Sequence, residues 1–122
     1  MIDEHFIREW IKHQEATYDD DNAELHWTDH YLINLMLHGK IEELWGFVLR
    51  AYKKDLSQAV IEILSAGALE DVLAARGEEY IGRVEFLARN DAKFRHLLGG
   101  VWQNAMSDDV WSRVQAAAAP WR

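Results

Sequence analysis

VIEILSAGALEDVLAARGEEYIGRVEFLARN, residues 60–90, is the stretch whose reading decides the fold. Its apolar residues recur at helical spacing. Val60, Ile63 and Leu64 close one stripe, and Leu69, Val72 and Leu73 make a second. Tyr80, Ile81, Val84, Leu87 and Ala88 fall at i, i+1, i+4, i+7 and i+8, the one-sided face of an α-helix. Gly67 and Gly77 each stand just past a stripe, where a C-cap needs the left-handed conformation that costs glycine least. The stretch predicts three short amphipathic helices in a row, punctuated by glycines.

The flanks read the same way. Asp3 is the expected N-cap of a helix that carries Phe6, Ile7, Trp10 and Ile11 on one face and runs to about Tyr18. Asp19-Asp20-Asp21-Asn22 then reads as a turn, because short polar side chains compete with a helix for backbone hydrogen bonds. Trp27, Tyr31, Leu32, Leu35 and Met36 mark a second helix that ends at Gly39. Ile41, Leu44, Trp45, Val48, Leu49 and Tyr52 mark a third. Asp55, with Gln58 three residues later, opens a fourth at capping-box spacing. Beyond the central stretch, Asp91 caps a short helix with Phe94, Leu97 and Leu98, and Gly99-Gly100 ends it. Residues 101–106 are the least regular apolar segment. Ser107 caps a last helix with Val110, Trp111 and Val114, stopped by Pro120. No β-type alternation persists. The expected fold is all-α: one domain over residues 1–122, seven or eight short helices in stacked antiparallel pairs, either an irregular α-solenoid or a globular bundle.

Composition narrows the function classes. A chain of 122 residues buries roughly two-thirds of the surface it would expose unfolded. There is no cysteine, which excludes thiol catalysis, cysteine zinc sites and disulfides, and fits a reducing compartment. No run approaches the ~20 apolar residues of a membrane span. The first ten residues, MIDEHFIREW, are acidic where a secretory signal is basic and then apolar, so the expected location is cytoplasmic. A net charge of −8 argues against nucleic acid, whose phosphates are bound mainly by lysine and arginine. The excess is uneven: residues 1–24 hold eight acids and two bases. Such a cluster is either a solvated face or a device that steers a basic protein partner.

A family resemblance rests on particular residues. Ser65-Ala66-Gly67-Ala68-Leu69-Glu70-Asp71-Val72-Leu73, then Gly77-Glu78-Glu79, Ile81 and Arg83-Val84-Glu85, then Phe94-Arg95, Leu98 and Val101-Trp102, resemble the bacterial family called domain of unknown function 6869. Its members resemble A-G-P-L-E-D-L-L, H-G-E, I-x-R-x-E, D-P-x-F and L-x-G-V-W, in that order. The likeness covers about residues 61–106, with the Trp27 and Trp45 regions comparable upstream. Ala68 and Ala92 stand where the family often has proline, and Arg76 where it often has histidine. The resemblance implies an all-helical fold and brings no activity with it.

Few constellations could carry chemistry. His26 and His30 stand at i and i+4, a spacing that binds zinc, and a metal-dependent enzyme or metal binder built on this pair is the alternative reading. A zincin needs glutamate directly after the first histidine, where Trp27 stands. Asp19 to Asn22 with Glu24 supply oxygen ligands, but Leu25 occupies the sixth position, where an EF-hand loop needs glycine. Glu70-Asp71 and Glu78-Glu79 are paired carboxylates, better explained as first-turn acids that meet the positive end of a helix dipole. No nucleophile elbow and no phosphate loop is present. No cofactor or metal is therefore expected.

Six tryptophans remain. Trp10, Trp27, Trp45 and Trp111 fall on helical stripes and read as core. Trp102, followed by Gln103 in the irregular segment, and Trp121, near the end, read as exposed anchors. The expected function is a non-catalytic protein-interaction module, with an acidic immunity- or antitoxin-like protein that masks a basic toxin as its concrete form. Its expected partner-binding residues are Asp19, Asp20, Asp21, Trp102, Gln103 and Trp121. Self-association as a homo-oligomer stays open.

Overall fold

The computed structural model describes residues 1–118. Pro120 and Trp121 lie outside the described residues. Seven α-helical segments follow in order: α1 (Glu4–Thr17), α2 (Trp27–Leu37), α3 (Ile41–Ala51), α4 (Gln58–Leu64), α5 (Glu70–Asn90), α6 (Ala92–Leu98) and α7 (Asp108–Ala118). There is no strand among the described residues. The caps explain several boundaries. Asp3 accepts from the Phe6 N–H at 2.8 Å, Asp91 from the Lys93 N–H at 2.9 Å, and Ser107 from the Val110 N–H at 3.2 Å. Gly39 ends α2 at φ +69°, a left-handed position that glycine takes without a Cβ penalty.

The central stretch differs from its expected form. Its first two expected helices run on as one, because a π-turn, Ser65–Leu69, joins α4 to α5, while the third is set off by a kink inside α5. Within that turn the Glu70 N–H reaches back five residues to the Ser65 carbonyl. Gly67 lies inside the π-turn, so it caps nothing. The second break sits at Arg76, where φ −144° and ψ 48° kink α5. Gly77 follows the kink, and its reason is tertiary. A Cβ there would stand 2.9 and 3.0 Å from the two Val110 methyls of α7, so only a bare backbone lets α7 come this close. The fourth helix is also capped differently: Ser57 accepts from the Val60 N–H at 3.3 Å, and its hydroxyl donates to Glu15 of α1 at 2.6 Å. Asp55 takes no part in that cap.

The run over residues 58–90 is the post around which the rest packs. α1 lies on α4, α3 on the π-turn and α5, α6 on α4 and α5, and α7 on α5 and α6. A solenoid would let each helix pair touch its neighbours only. These cross-chain contacts close one core instead, the globular-bundle alternative, with Phe6, Trp10, Trp45, Phe47, Tyr80 and Phe94 among its buried aromatics. Its edge-to-face aromatic contacts include Trp10–Phe47 at 5.1 Å and Tyr52–Phe94 at 5.3 Å between centroids. Buried tyrosines keep their hydroxyls hydrogen-bonded at the rim of the core. Tyr52 donates to Asp91 and Tyr80 to Glu42, each at 2.6 Å, and burial first, then the carboxylate, pushes both phenols up to about 12. α2 packs chiefly on α3 and α1, and buries only Thr28 and Leu35.

Candidate functional site

Helix α2 is built from apolar residues nearly all round: Trp27, Tyr31, Leu32, Ile33, Leu35, Met36 and Leu37 in eleven positions. Only one side can face the core. The other side is left in solvent, where His30, Ile33 and Leu37, at i, i+3 and i+7, share a face and are all exposed. Trp27, expected in the core, is 48% exposed. Its ring lies over the outer end of α1, stacked on His5 at 6.1 Å and edge-on to Phe6 at 5.5 Å. Leu25 and Tyr18, in the segment between α1 and α2, are exposed as well. Five of the eight exposed large apolar residues therefore fall between Tyr18 and Leu37.

The acidic turn borders this strip in sequence. Asp19, Asp20, Asp21 and Glu24 are all exposed. Asp20 holds the turn, its carboxylate accepting from the Asn22 N–H at 3.0 Å, and its neighbours present their charge to solvent. Exposed apolar side chains and exposed acids therefore share one stretch of chain, and α2's all-round apolar composition is its signal in the sequence.

A cleft of about 180 Å³ opens between α2 and the π-turn. Trp10, Leu44, Phe47 and Ile63 form apolar walls, and the exposed Leu25 and Ile33 mark its open side. Two carboxylates, Asp29 and Asp71, line it. Asp29 is fully engaged: it accepts from Gln14 Nε2 at 2.9 Å and the His26 N–H at 3.0 Å, with His13 Nε2 3.9 Å away. Asp71 has no such support. Burial, and then the charge of Glu70 beside it, hold its carboxyl above the ordinary value.

The histidine pair is placed by the same local rules. His26 is the N-cap of α2: its Nδ1 accepts from the Thr28 N–H and lies 2.7 Å from the Thr28 hydroxyl. Its ring stacks on His13 of α1 at 4.5 Å. His30 stands on the outer face with Ile33 and Leu37. Among the described residues, no three His, Cys, Asp or Glu side chains converge as metal ligands.

Trp102 lines a different groove, of about 700 Å³, on the other flank of the π-turn. Ser65 and Ala66 line this one, while Gly67 and Ala68 line the cleft under α2. Trp102 is 69% exposed. Gln103 is turned inward, its amide donating to the Met106 carbonyl at 3.3 Å and to Asp108 at 2.8 Å. Trp121 lies outside the described residues. The loop is held by Glu70, whose buried carboxylate accepts from the Trp102 N–H at 3.0 Å and from the Asn104 side chain. The dipole reading of Glu70 fails for a plain reason: the π-turn runs straight into α5, so no helix begins there.

The sequence profile of the Family of unknown function (DUF6869) matches residues 14–120. The chain belongs to the DUF6869 family. Comparison with curated proteins and with solved structures finds no match to either. In this DUF6869 chain, the motif segments quoted above hold the fold together. Glu70 ties the first motif to the last through the Trp102 N–H. Ser65 donates to the Leu97 carbonyl at 2.7 Å, and Gly100 lies so close that a Cβ would stand 2.7 Å from the Ser65 hydroxyl. Arg83 pairs with Glu42 of α3 at 2.9 Å, and Glu85 with Arg113 of α7. Asp91 caps α6 and accepts from Tyr52. No helix of the described residues is long and apolar enough to cross a membrane.

Proposed function

We propose that this chain is a non-catalytic protein-interaction module whose working surface is the outer face of α2 with the acidic turn beside it, and that its partner is basic. One observation carries the reading: most of the large apolar side chains left in solvent fall between Tyr18 and Leu37, the same stretch of chain that holds four exposed acids. A contiguous apolar surface rimmed by charge marks a contact site, and its sign selects a partner of opposite charge. The acids also disfavour a second copy in the same place, because a two-fold contact through this strip would set like charges together. Trp102, on its separate groove, is a second contact point for the same partner. An acidic immunity- or antitoxin-like protein that masks a basic toxin is the concrete form, and it acts in the cytoplasm.

The test uses the full chain as bait in an extract of its native host. The wild-type chain is expected to recover a basic protein, and a chain carrying Ile33→Glu and Leu37→Glu is expected to lose it while keeping its circular dichroism spectrum. Recovery of no protein, at low and at physiological salt alike, would sink the reading.

A further inference from the structure

The cleft under α2 is too small for a drug-sized ligand, whose sites run to about 300 Å³ or more. Its size suits a single side chain. Its chemistry is specific: apolar walls, two carboxylates, and no lysine, arginine or histidine among its lining residues. One of those carboxylates is already satisfied by Gln14 and the His26 N–H. The other, Asp71, meets no hydrogen bond or opposite charge from the described residues and sits beside buried Glu70. A lone carboxylate at one point of an apolar slot is complemented by a cation on an apolar stem. One carboxylate can pair with arginine's planar fork or with an ammonium, and a slot of about 180 Å³ favours lysine, whose charge is compact and carried on four methylenes.

We infer that the cleft between α2 and the π-turn receives a lysine side chain of the partner, its methylenes against Trp10, Leu44, Phe47 and Ile63 and its ammonium on Asp71. The inference rests on the proposed partner reading for where that lysine comes from. The chemistry of the cleft is tested without the partner.

The experiment titrates the full chain with n-butylammonium, n-propylguanidinium and 1-butanol, following amide resonances by NMR. Butylammonium is expected to move the Gly67, Ala68 and Asp71 signals in a saturable way, more tightly than the guanidinium. Asp71→Asn keeps the shape and is expected to weaken the amine by roughly fivefold or more, the scale of one partly screened ion pair. A chain with Asp19, Asp20 and Asp21 all changed to Asn is expected to bind it as the wild type does. Equal shifts from butanol, tighter binding of the guanidinium, or an effect that survives Asp71→Asn and vanishes in the triple variant would each overturn the assignment. Once a partner has been captured, saturating butylammonium is expected to release it. A partner that stays bound puts its lysine elsewhere and overturns the lysine's role, while failure to capture any protein strikes the partner reading and leaves the titration as an independent result.

Discussion

Glu70 and Gly77 show how single residues hold this fold across long stretches of chain. Glu70 → Ala removes the acceptor of the Trp102 N–H, 32 residues away, and of the Asn104 amide. Trp102 and Asn104 are both exposed, so water can take up the released donors, and the variant is expected to lose about 1 kcal/mol in a denaturant melt. Gly77→Ala adds a methyl that must push Val110 aside. Overpacking of about 1–3 kcal/mol outweighs the ~1 kcal/mol that alanine gains in helix propensity. Gly67→Ala, with open space around the new methyl, is the control expected to melt no earlier than the wild type. Neither role was legible in the sequence. Gly77 followed a stripe, as a C-cap does, but the reason for it is a helix that returns more than thirty residues later. Glu70 looked like a first-turn acid because periodicity does not reveal that a π-turn carries the helix through that point. The Asp3, Asp91 and Ser107 caps were legible, since their partners lie within three residues.

At the scale of the element, α2 is the helix whose two faces have different fates. Leu35 is buried, and Leu35→Ala is expected to cost about 2–3 kcal/mol through the cavity it leaves. Ile33→Glu with Leu37→Glu, on the outer face, is expected to cost about 1 kcal/mol in the same melt, most of it from Ile33, which is 39% exposed and borders the cleft, while Leu37 is 68% exposed. A large loss in the double variant would mean that this face is structural. The helix itself was legible from Trp27 to Met36. Which face would be buried was not, because a helix apolar all round gives no stripe to choose by. Trp27, which reads as core by its spacing, is half-exposed for that reason. The cleft was equally out of reach, since its walls come from α1, α2, α3 and the central run together.

For the molecule as a whole, carboxylates fasten one helix to another. Glu4 is held below its ordinary 4.5 by Lys54, Glu42 by the Tyr80 hydroxyl and then Arg83, Glu85 by Arg113, and Asp91 below 3.8 by the Tyr52 hydroxyl. A depressed carboxyl adds stability above its unfolded pKa and loses it as pH falls through the folded one. Tm is therefore expected to hold between about pH 7 and 5 and to drop below about pH 4. Asp71 runs the other way: its carboxyl is raised, so its contribution is present below 3.8 and lost as pH rises through the folded pKa. Asp71→Asn should raise Tm at pH 7 by on the order of a few degrees, with no gain at pH 3. An unchanged Tm at pH 7 would show that the charge carries no cost. The π-turn between Ser65 and Leu69 has an angular consequence for this whole assembly. Each residue of an α-helix advances the azimuth by about 100°, so deleting one residue there would swing everything downstream to a new bearing. Tyr80 and Arg83 would then aim away from Glu42 of α3, which lies upstream of the turn. That single surplus residue keeps the two halves of the post in phase.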